Sequence, residues 1–398
     1  MTVTGTTPTT DCHRFLSIPY AEPPVGQQGR WSPPTPLKSG TRDVDGSKFP
    51  PVCMQPSNGW SSLDTSNMSE DCLYLNIFTP TKYEPQSLPV MVFIHGGRQK
   101  QLLVFFVLSL FSFSLADVLS PLPFSLPPGD YMYGGAHDTE LNGCNLLEVT
   151  GNALVVTIQY RLGVFGFLGS DRLRSRDVDH QSTGNYGLLD QIESLKWLRD
   201  NIGSFGGNSG NVMIFGESAG AGSVTNLLVS PLSTGLYHRA SLQSGAFAEW
   251  TTKTLDNATE VYDEMLVRTG CASGGGGSDG DDESAESDVC LAGKDADELL
   301  SASLLLVSYP DQWTVCRWAP TIDGIVIREH PLTLVETSPT SIRDVPIMYG
   351  NNDEEGVSFL SANRLSSSSS VSRTLTKIEY DEWLVLNFPN HHALVAKT

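Results

Sequence analysis

The sequence predicts an α/β protein whose core is one mostly parallel sheet flanked by helices on both faces. Two observations carry that prediction. Short apolar runs of strand length alternate with a helical pattern between residues 89 and 349. One of those runs ends in a serine framed by glycines, Gly216-Glu217-Ser218-Ala219-Gly220.

In chain order, residues 89–95 form a short apolar run ending at His95 and read as a buried strand. Residues 153–159 form a second run, rich in β-branched side chains that suit a pleated surface. A helical pattern follows from about Gly187 to Leu198, marked by Leu188, Leu189, Ile192, Leu195, Trp197 and Leu198. Met213, Ile214 and Phe215 are the strand that enters the glycine-framed serine. Residues 219–228 are rich in small side chains and read as a helix packed close to the sheet. Residues 239–243 and 345–349 read as two more strands.

The serine motif is informative because of where it sits. A serine hydroxyl is a poor nucleophile until geometry and a base activate it. A sharp strand-to-helix turn lifts Ser218 clear of the sheet, and Gly216 and Gly220 stand where Cβ atoms would collide.

At 398 residues the chain can bury a large core. Its formal net charge is −20, so polyanionic partners are repelled, and nucleic acid is not expected as a partner. The seven cysteines are too few for a disulfide scaffold and are not spaced as metal-binding pairs; separately, no metal or organic cofactor is expected. The N-terminal residues contain no apolar h-region and no signal peptide is read there. Asn67-Met68-Ser69 and Asn257-Ala258-Thr259 are glycosylation sequons compatible with secretion.

Two segments interrupt the alternation. Residues 272–288 are Gly/Ser/Asp-rich, cannot bury enough apolar surface, and are expected to be a disordered loop. Gln101 to Ala116 is the most apolar stretch, yet a membrane span needs about 18 to 20 apolar residues and this one closes at Asp117. No membrane span is expected.

These pieces resemble the type B carboxylesterases, the group that contains cholinesterases and some fungal lipases. The resemblance rests on Phe15 to Pro24, Ser69 to Ile77, His95-Gly96-Gly97, Tyr160 to Gly163 and Gly184 to Gln191. It continues through Trp197 to Gly207, Gly216 to Gly220 and Gln243-Ser244-Gly245. It implies the α/β-hydrolase fold, one carboxylesterase domain over 1–398, and hydrolysis of small-molecule or lipid esters.

Carried over residue by residue, the resemblance makes Ser218 the nucleophile and Glu355, directly before Gly356, the acid that orients a catalytic imidazole. Glu354 is one residue out of register. The oxyanion hole would use the backbone N–H of Ala219 with those of Gly96 and Gly97. Cys53 with Cys72, and Cys271 with Cys290, fall where the family forms disulfides, which implies a secreted or extracellular parent protein. Cys12, Cys144 and Cys316 are left over and read as small core residues. Arg30 with Glu70, and Arg161 with Asp190, match the family's internal ion pairs.

The sequence departs from the family twice. Residues 98–128, after His95-Gly96-Gly97, have a biased Leu/Phe/Ser/Pro composition that matches nothing in the family and looks like an intron translated in frame. Family-like sequence resumes at Gly129. The family's histidine follows its acid by about a hundred residues, and the stretch after Glu355 is far shorter. His391 and His392 lack the family's surroundings, so no catalytic histidine is identified and the C-terminal part of the fold reads as missing. A weakly active or inactive esterase is therefore expected. The reading from another class is a non-catalytic esterase-like adhesion or binding module.

Overall fold

A computed structural model describes residues 1–9, 11–38, 42–56, 63–97, 131–137, 142–272, 281–304 and 316–352. Eight strands build the central sheet: β1 (Thr6–Thr9), β2 (Cys12–Pro19), β3 (Tyr74–Pro80), β4 (Leu88–Ile94), β5 (Leu154–Ile158), β6 (Gly207–Glu217), β7 (Arg239–Gln243) and β8 (Ile347–Gly350). Their spatial order is β8-β7-β6-β4-β5-β3-β2-β1. From β5 through β4, β6 and β7 to β8 every pairing is parallel. The other flank, β3, β2 and β1, is antiparallel. The expected mostly parallel sheet is present, with an antiparallel wing that its alternating sequence did not announce.

Parallel neighbours need crossovers, and helices supply them. They are α1 (Gly143–Thr150), α2 (Tyr186–Asn201), α3 (Ala219–Val229), α4 (Leu255–Arg268), α5 (Asp281–Gly293) and α6 (Ala296–Leu304). Side chains alternate between the faces of a strand, so the two packing clusters show which face each helix covers. On β5, Leu154, Val156 and Ile158 join the large cluster, with Ile214, Leu227 and Leu242. Val155 points the other way, into a small cluster with Leu16, Phe78 and Leu147 beneath α1. The sheet is covered on both faces.

Each helix has a local cause. On α4 the buried residues Ala258, Val261, Tyr262, Met265 and Leu266 follow the 3.6-residue period, and the Thr254 hydroxyl caps its first turn by accepting from the Asn257 N–H at 3.2 Å. On α3 every residue is buried. Its small side chains allow that: a Cβ on Gly222 would lie 2.3 Å from the Tyr131 hydroxyl. On α2 burial extends around most of the helix and takes in Asp190, whose carboxylate meets Arg161 at 2.7 Å.

Cys53–Cys72 and Cys271–Cys290 are disulfides, each with a sequence separation of 19. Loops of that size contribute about 3 kcal/mol by restricting the unfolded chain. The expectation for two further cysteines is corrected. Cys12 and Cys144 form a third disulfide, tying β2 to α1 across a sequence separation of 132 with their Cα atoms 5.8 Å apart. Spacing along the chain gave no hint of it, because the sheet brings the two together. Cys316 is half-buried and takes no part in these three bridges.

The disordered loop expected over 272–288 is also corrected in part, since Asp281–Gly293 is helix α5. Its order comes from neighbours, not composition. Cys290 is bonded to Cys271, Leu291 and Ala292 are buried, and Asp288 pairs with Arg172 at 2.7 Å. Arg30 pairs with Glu70 at 2.6 Å and also donates to the Ala292 carbonyl at 3.0 Å and to that of Lys294. Among the described residues no helix is long and apolar enough to cross a membrane, and Gln101 to Ala116 lie outside them.

Candidate active site

The site begins where β6 runs into α3. Ser218 is the residue between them, with φ 54° and ψ −121°, a region that residues with a Cβ rarely occupy. Strain of this kind costs about 1–3 kcal/mol and persists only where the surroundings impose it. They do so here. The Ser218 N–H donates to the Gln243 carbonyl at 2.9 Å, and the Ser218 carbonyl accepts from the Gly222 N–H at 2.9 Å. A Cβ on Gly216 would lie 2.5 Å from the Gly220 carbonyl carbon, and one on Gly220 would lie 2.0 Å from the Ile94 carbonyl oxygen. The two framing glycines are sterically required, as the motif implied.

The end of β4 forms the facing wall. His95, Gly96 and Gly97 are buried, and a Cβ on Gly96 would lie 2.3 Å from the Glu217 carbonyl and 3.2 Å from the Ser218 Cβ. The glycine run therefore lies directly against the serine. Two contacts hold it from behind. The Tyr160 ring stacks on His95 with centroids 4.4 Å apart, and its hydroxyl donates to the His95 carbonyl at 2.6 Å. Burial pushes the Tyr160 pKa well above its usual value, so this donor stays protonated across the physiological range. Gly134, at φ 118°, packs so close that a Cβ there would lie 2.4 Å from both the Gly96 carbonyl oxygen and the His95 Nδ1.

Ala219 opens α3 and is fully buried. Its N–H is one of the first-turn donors that a helix leaves without an internal partner. The arrangement thus brings together a strained serine, the N-terminal donors of a buried helix, and a backbone-only glycine wall. Such a corner can hold an oxygen that gains negative charge, with donors fixed before the charge develops.

Of the residues singled out in the sequence, Ser218, Ala219 and Gly96 lie in this corner, and Gly97 is the buried residue that follows. Glu354, Glu355, His391 and His392 lie outside the described residues, as does segment 98–128. The described chain leads toward the acid position. β8 pairs with β7, the Ser244 N–H donates to the Gly350 carbonyl at 2.8 Å, and Asn352 reaches the Ser244 hydroxyl at 3.5 Å. The described histidines have other surroundings. His13 meets Thr7, His137 stacks on Phe49, His238 accepts from the Val212 N–H, and His330 caps a short helix. His180 is exposed. Among the described residues no cluster of His, Cys, Asp and Glu is arranged to hold a metal ion. Sequence reasoning missed Gly134 and Gln55, whose buried side chain meets it; neither carries a local signal of its role.

Comparison with known proteins bears on this geometry. The carboxylesterase family model matches residues 2–101 and 117–397. The chain is 33% identical to cocaine esterase of Homo sapiens over 352 residues, covering 86% of this chain and 52% of that protein. It is 35% identical to carboxylesterase 1D of Rattus norvegicus over 364 residues, covering 86% and 54%. Among solved structures it superposes on the Geobacillus stearothermophilus carboxylesterase EST55 with a TM-score of 0.68 at 31% identity, covering 90% of this chain and 61% of the other. A pNB esterase gives 0.70 at 30% identity, covering 96% and 66%. The chain spans about half the length of the curated relatives it matches. With an α/β-hydrolase sheet, a serine elbow and a family match over most of its residues, the chain belongs to the carboxylesterase family.

Proposed function

We propose that the chain is a serine carboxylic-ester hydrolase that works through an acyl-enzyme on Ser218. The Ser218 hydroxyl attacks the ester carbonyl and its proton passes to a base. The tetrahedral oxyanion is held by the N–H groups of Ala219, Gly96 and Gly97, the alcohol leaves, and water resolves the acyl-enzyme by the reverse proton route. Glu355 is the carboxylate that would orient a catalytic imidazole and stabilise its imidazolium. The observation that carries the reading is the strained Ser218, at φ 54°, pressed against Gly96. A non-catalytic module has no use for that strain.

Histidine is the weak link. In this reading the chain supplies no catalytic histidine, so acylation is slow and catalysis rests mainly on the oxyanion donors. Such donors with binding alone still give roughly 10³–10⁴-fold over water in serine hydrolases that lack a triad member. Residues 1–398 form one domain in this reading, with 98–128 inserted into the oxyanion loop. Small-molecule or lipid esters are the substrates. The three disulfides suit an oxidising compartment, as a secreted protein would have.

Chemical rescue tests the assignment. Turnover of p-nitrophenyl acetate by the full chain is expected to be weak, and to rise at least tenfold with added imidazole beyond imidazole in buffer. Ser218→Ala is expected to lose that rise. A chain with no Ser218-dependent hydrolysis, with or without imidazole, would overturn the assignment.

A further inference from the structure

Gly134 is fixed by one side chain. Gln55 is 1% exposed, and its carboxamide meets the Gly134 backbone on both sides. Its Oε1 accepts from the Gly134 N–H at 3.0 Å, and its Nε2 donates to the Gly134 carbonyl at 2.9 Å. The second N–H of that amide goes to the Cys53 carbonyl at 3.1 Å. A glutamine amide here replaces the neighbouring strand that would otherwise pair with Gly134.

Both ends of this link are rigid. Gln55 follows Cys53, which is bonded to Cys72, and the Cys72 carbonyl accepts from Gln159 Nε2 at 3.1 Å. At the other end Gly134 presses on the Gly96 carbonyl and on the His95 ring, at separations that leave no room for a Cβ. Gly96 in turn touches Ser218. Gly134 lies far along the chain from Gly97, so no short connection sets its position against the glycine wall. From Cys53 to Ser218 the contacts run without a break.

We infer that Gln55 is a positioning residue for the oxyanion wall: by clamping Gly134 it aims the Gly96 and Gly97 N–H groups at the oxygen that becomes charged. The inference rests on the esterase reading for its catalytic consequence, while the clamp itself stands on geometry alone. A wall that shifts away from Ser218 weakens transition-state stabilisation more than substrate binding, so kcat falls and KM stays near its original value. Loss of a whole oxyanion donor costs about 10²–10³-fold in rate, which bounds the effect from above.

The test uses two substitutions in the full chain. Gln55→Leu removes both hydrogen bonds to Gly134. Gln55→Glu keeps the acceptor, but its donor is present only while the introduced carboxyl is protonated, and a carboxylate oxygen would face the Gly134 carbonyl. In imidazole-rescued p-nitrophenyl acetate hydrolysis, Gln55→Leu is expected to lower kcat at least tenfold with KM within about twofold. The Gln55→Glu to wild-type activity ratio is expected to rise as pH falls, since protonation restores the donor. A plain loss of folding would not recover in acid.

Hydrogen exchange separates this inference from the esterase assignment, because it needs no activity. Gln55→Leu is expected to speed exchange in residues 93–97 and 131–137 at least tenfold, and to leave β6 and α3 unchanged. That pattern supports the clamp even in a chain that hydrolyses nothing. Unchanged exchange in 93–97, or a kcat and pH profile in Gln55→Glu equal to wild type in an active chain, would overturn it.

Discussion

Gly220→Ala is expected to destabilise the protein by about 3 kcal/mol or more, at the upper end of what overpacking a core costs. The added methyl would sit 2.0 Å from the Ile94 carbonyl oxygen, 3.0 Å from its carbon and 3.1 Å from the His95 carbonyl carbon. All three are backbone atoms, so no side chain can rotate away, and relief requires α3 to move off β4. That movement would pull Ser218 away from Gly96 and weaken both ends of the proposed site together. Gly293→Ala is the matched control, because nothing lies within 4 Å of a Cβ at the end of α5. Urea denaturation should give a large drop in midpoint for Gly220→Ala and a change within about 0.5 kcal/mol for Gly293→Ala. Equal midpoints would mean that α3 and β4 are not packed as described.

Asp190→Asn is expected to cost about 3–5 kcal/mol, as removing one member of a buried ion pair does. Arg161 is 3% exposed and Asp190 is fully buried. The carboxylate accepts from Arg161 Nε at 2.8 Å, from Nη2 at 2.7 Å and from the Arg161 backbone N–H at 3.0 Å. Without the negative charge the guanidinium stays buried and uncompensated beside Tyr186, whose ring lies 5.7 Å from its carbon. The exposed pair Arg199 and Asp200 is the contrast, where Asp200→Asn should change stability by less than about 1 kcal/mol. The double variant Arg161→Met/Asp190→Leu should recover most of the loss, because it removes both desolvated charges at once. Chemical denaturation of the three variants checks this. A double variant as unstable as Asp190→Asn would show that packing, and not charge, governs the position.

The parts of the molecule legible in the sequence are those whose cause is local. β4, β5 and β6 are apolar runs of strand length, and the elbow carries its own glycines. Ser218 could therefore be read from its own motif, and Gly96 and Ala219 from the family resemblance. The unread parts depend on contacts between distant residues. The antiparallel wing pairs Cys12 with Pro80 and Leu75 with Ile158, partners that no window of sequence contains. The Cys12–Cys144 bridge closes only because α1 lies over β2 and β3. Composition misjudged residues 281–288 of the loop expected over 272–288, because the helix they open is held by a disulfide, an ion pair and the carbonyl contacts of Arg30. Gln55 meets Gly134 across 79 residues, and a single glutamine after Cys53-Met54 gives no sign of that.

The same division explains the state of the proposed triad. The proposed nucleophile and oxyanion donors belong to one strand-turn-helix and one strand end, and the geometry brings Ser218, Ala219 and Gly96 together. The acid and the base are joined to them only through the fold. Glu355 is three residues beyond Asn352, which touches Ser244 next to the carbonyl that accepts from Ser218.

Covalent labelling of the full chain with a fluorophosphonate, followed by mass spectrometric mapping over time, tests the central claim most directly. The expected result is one adduct, on Ser218, that accumulates slowly and faster when imidazole is added. Labelling on another residue, or none at Ser218 after prolonged incubation with imidazole, would contradict the assignment of Ser218 as the nucleophile. Fast stoichiometric labelling of Ser218 without imidazole would contradict the proposal that acylation is slow for want of a catalytic histidine.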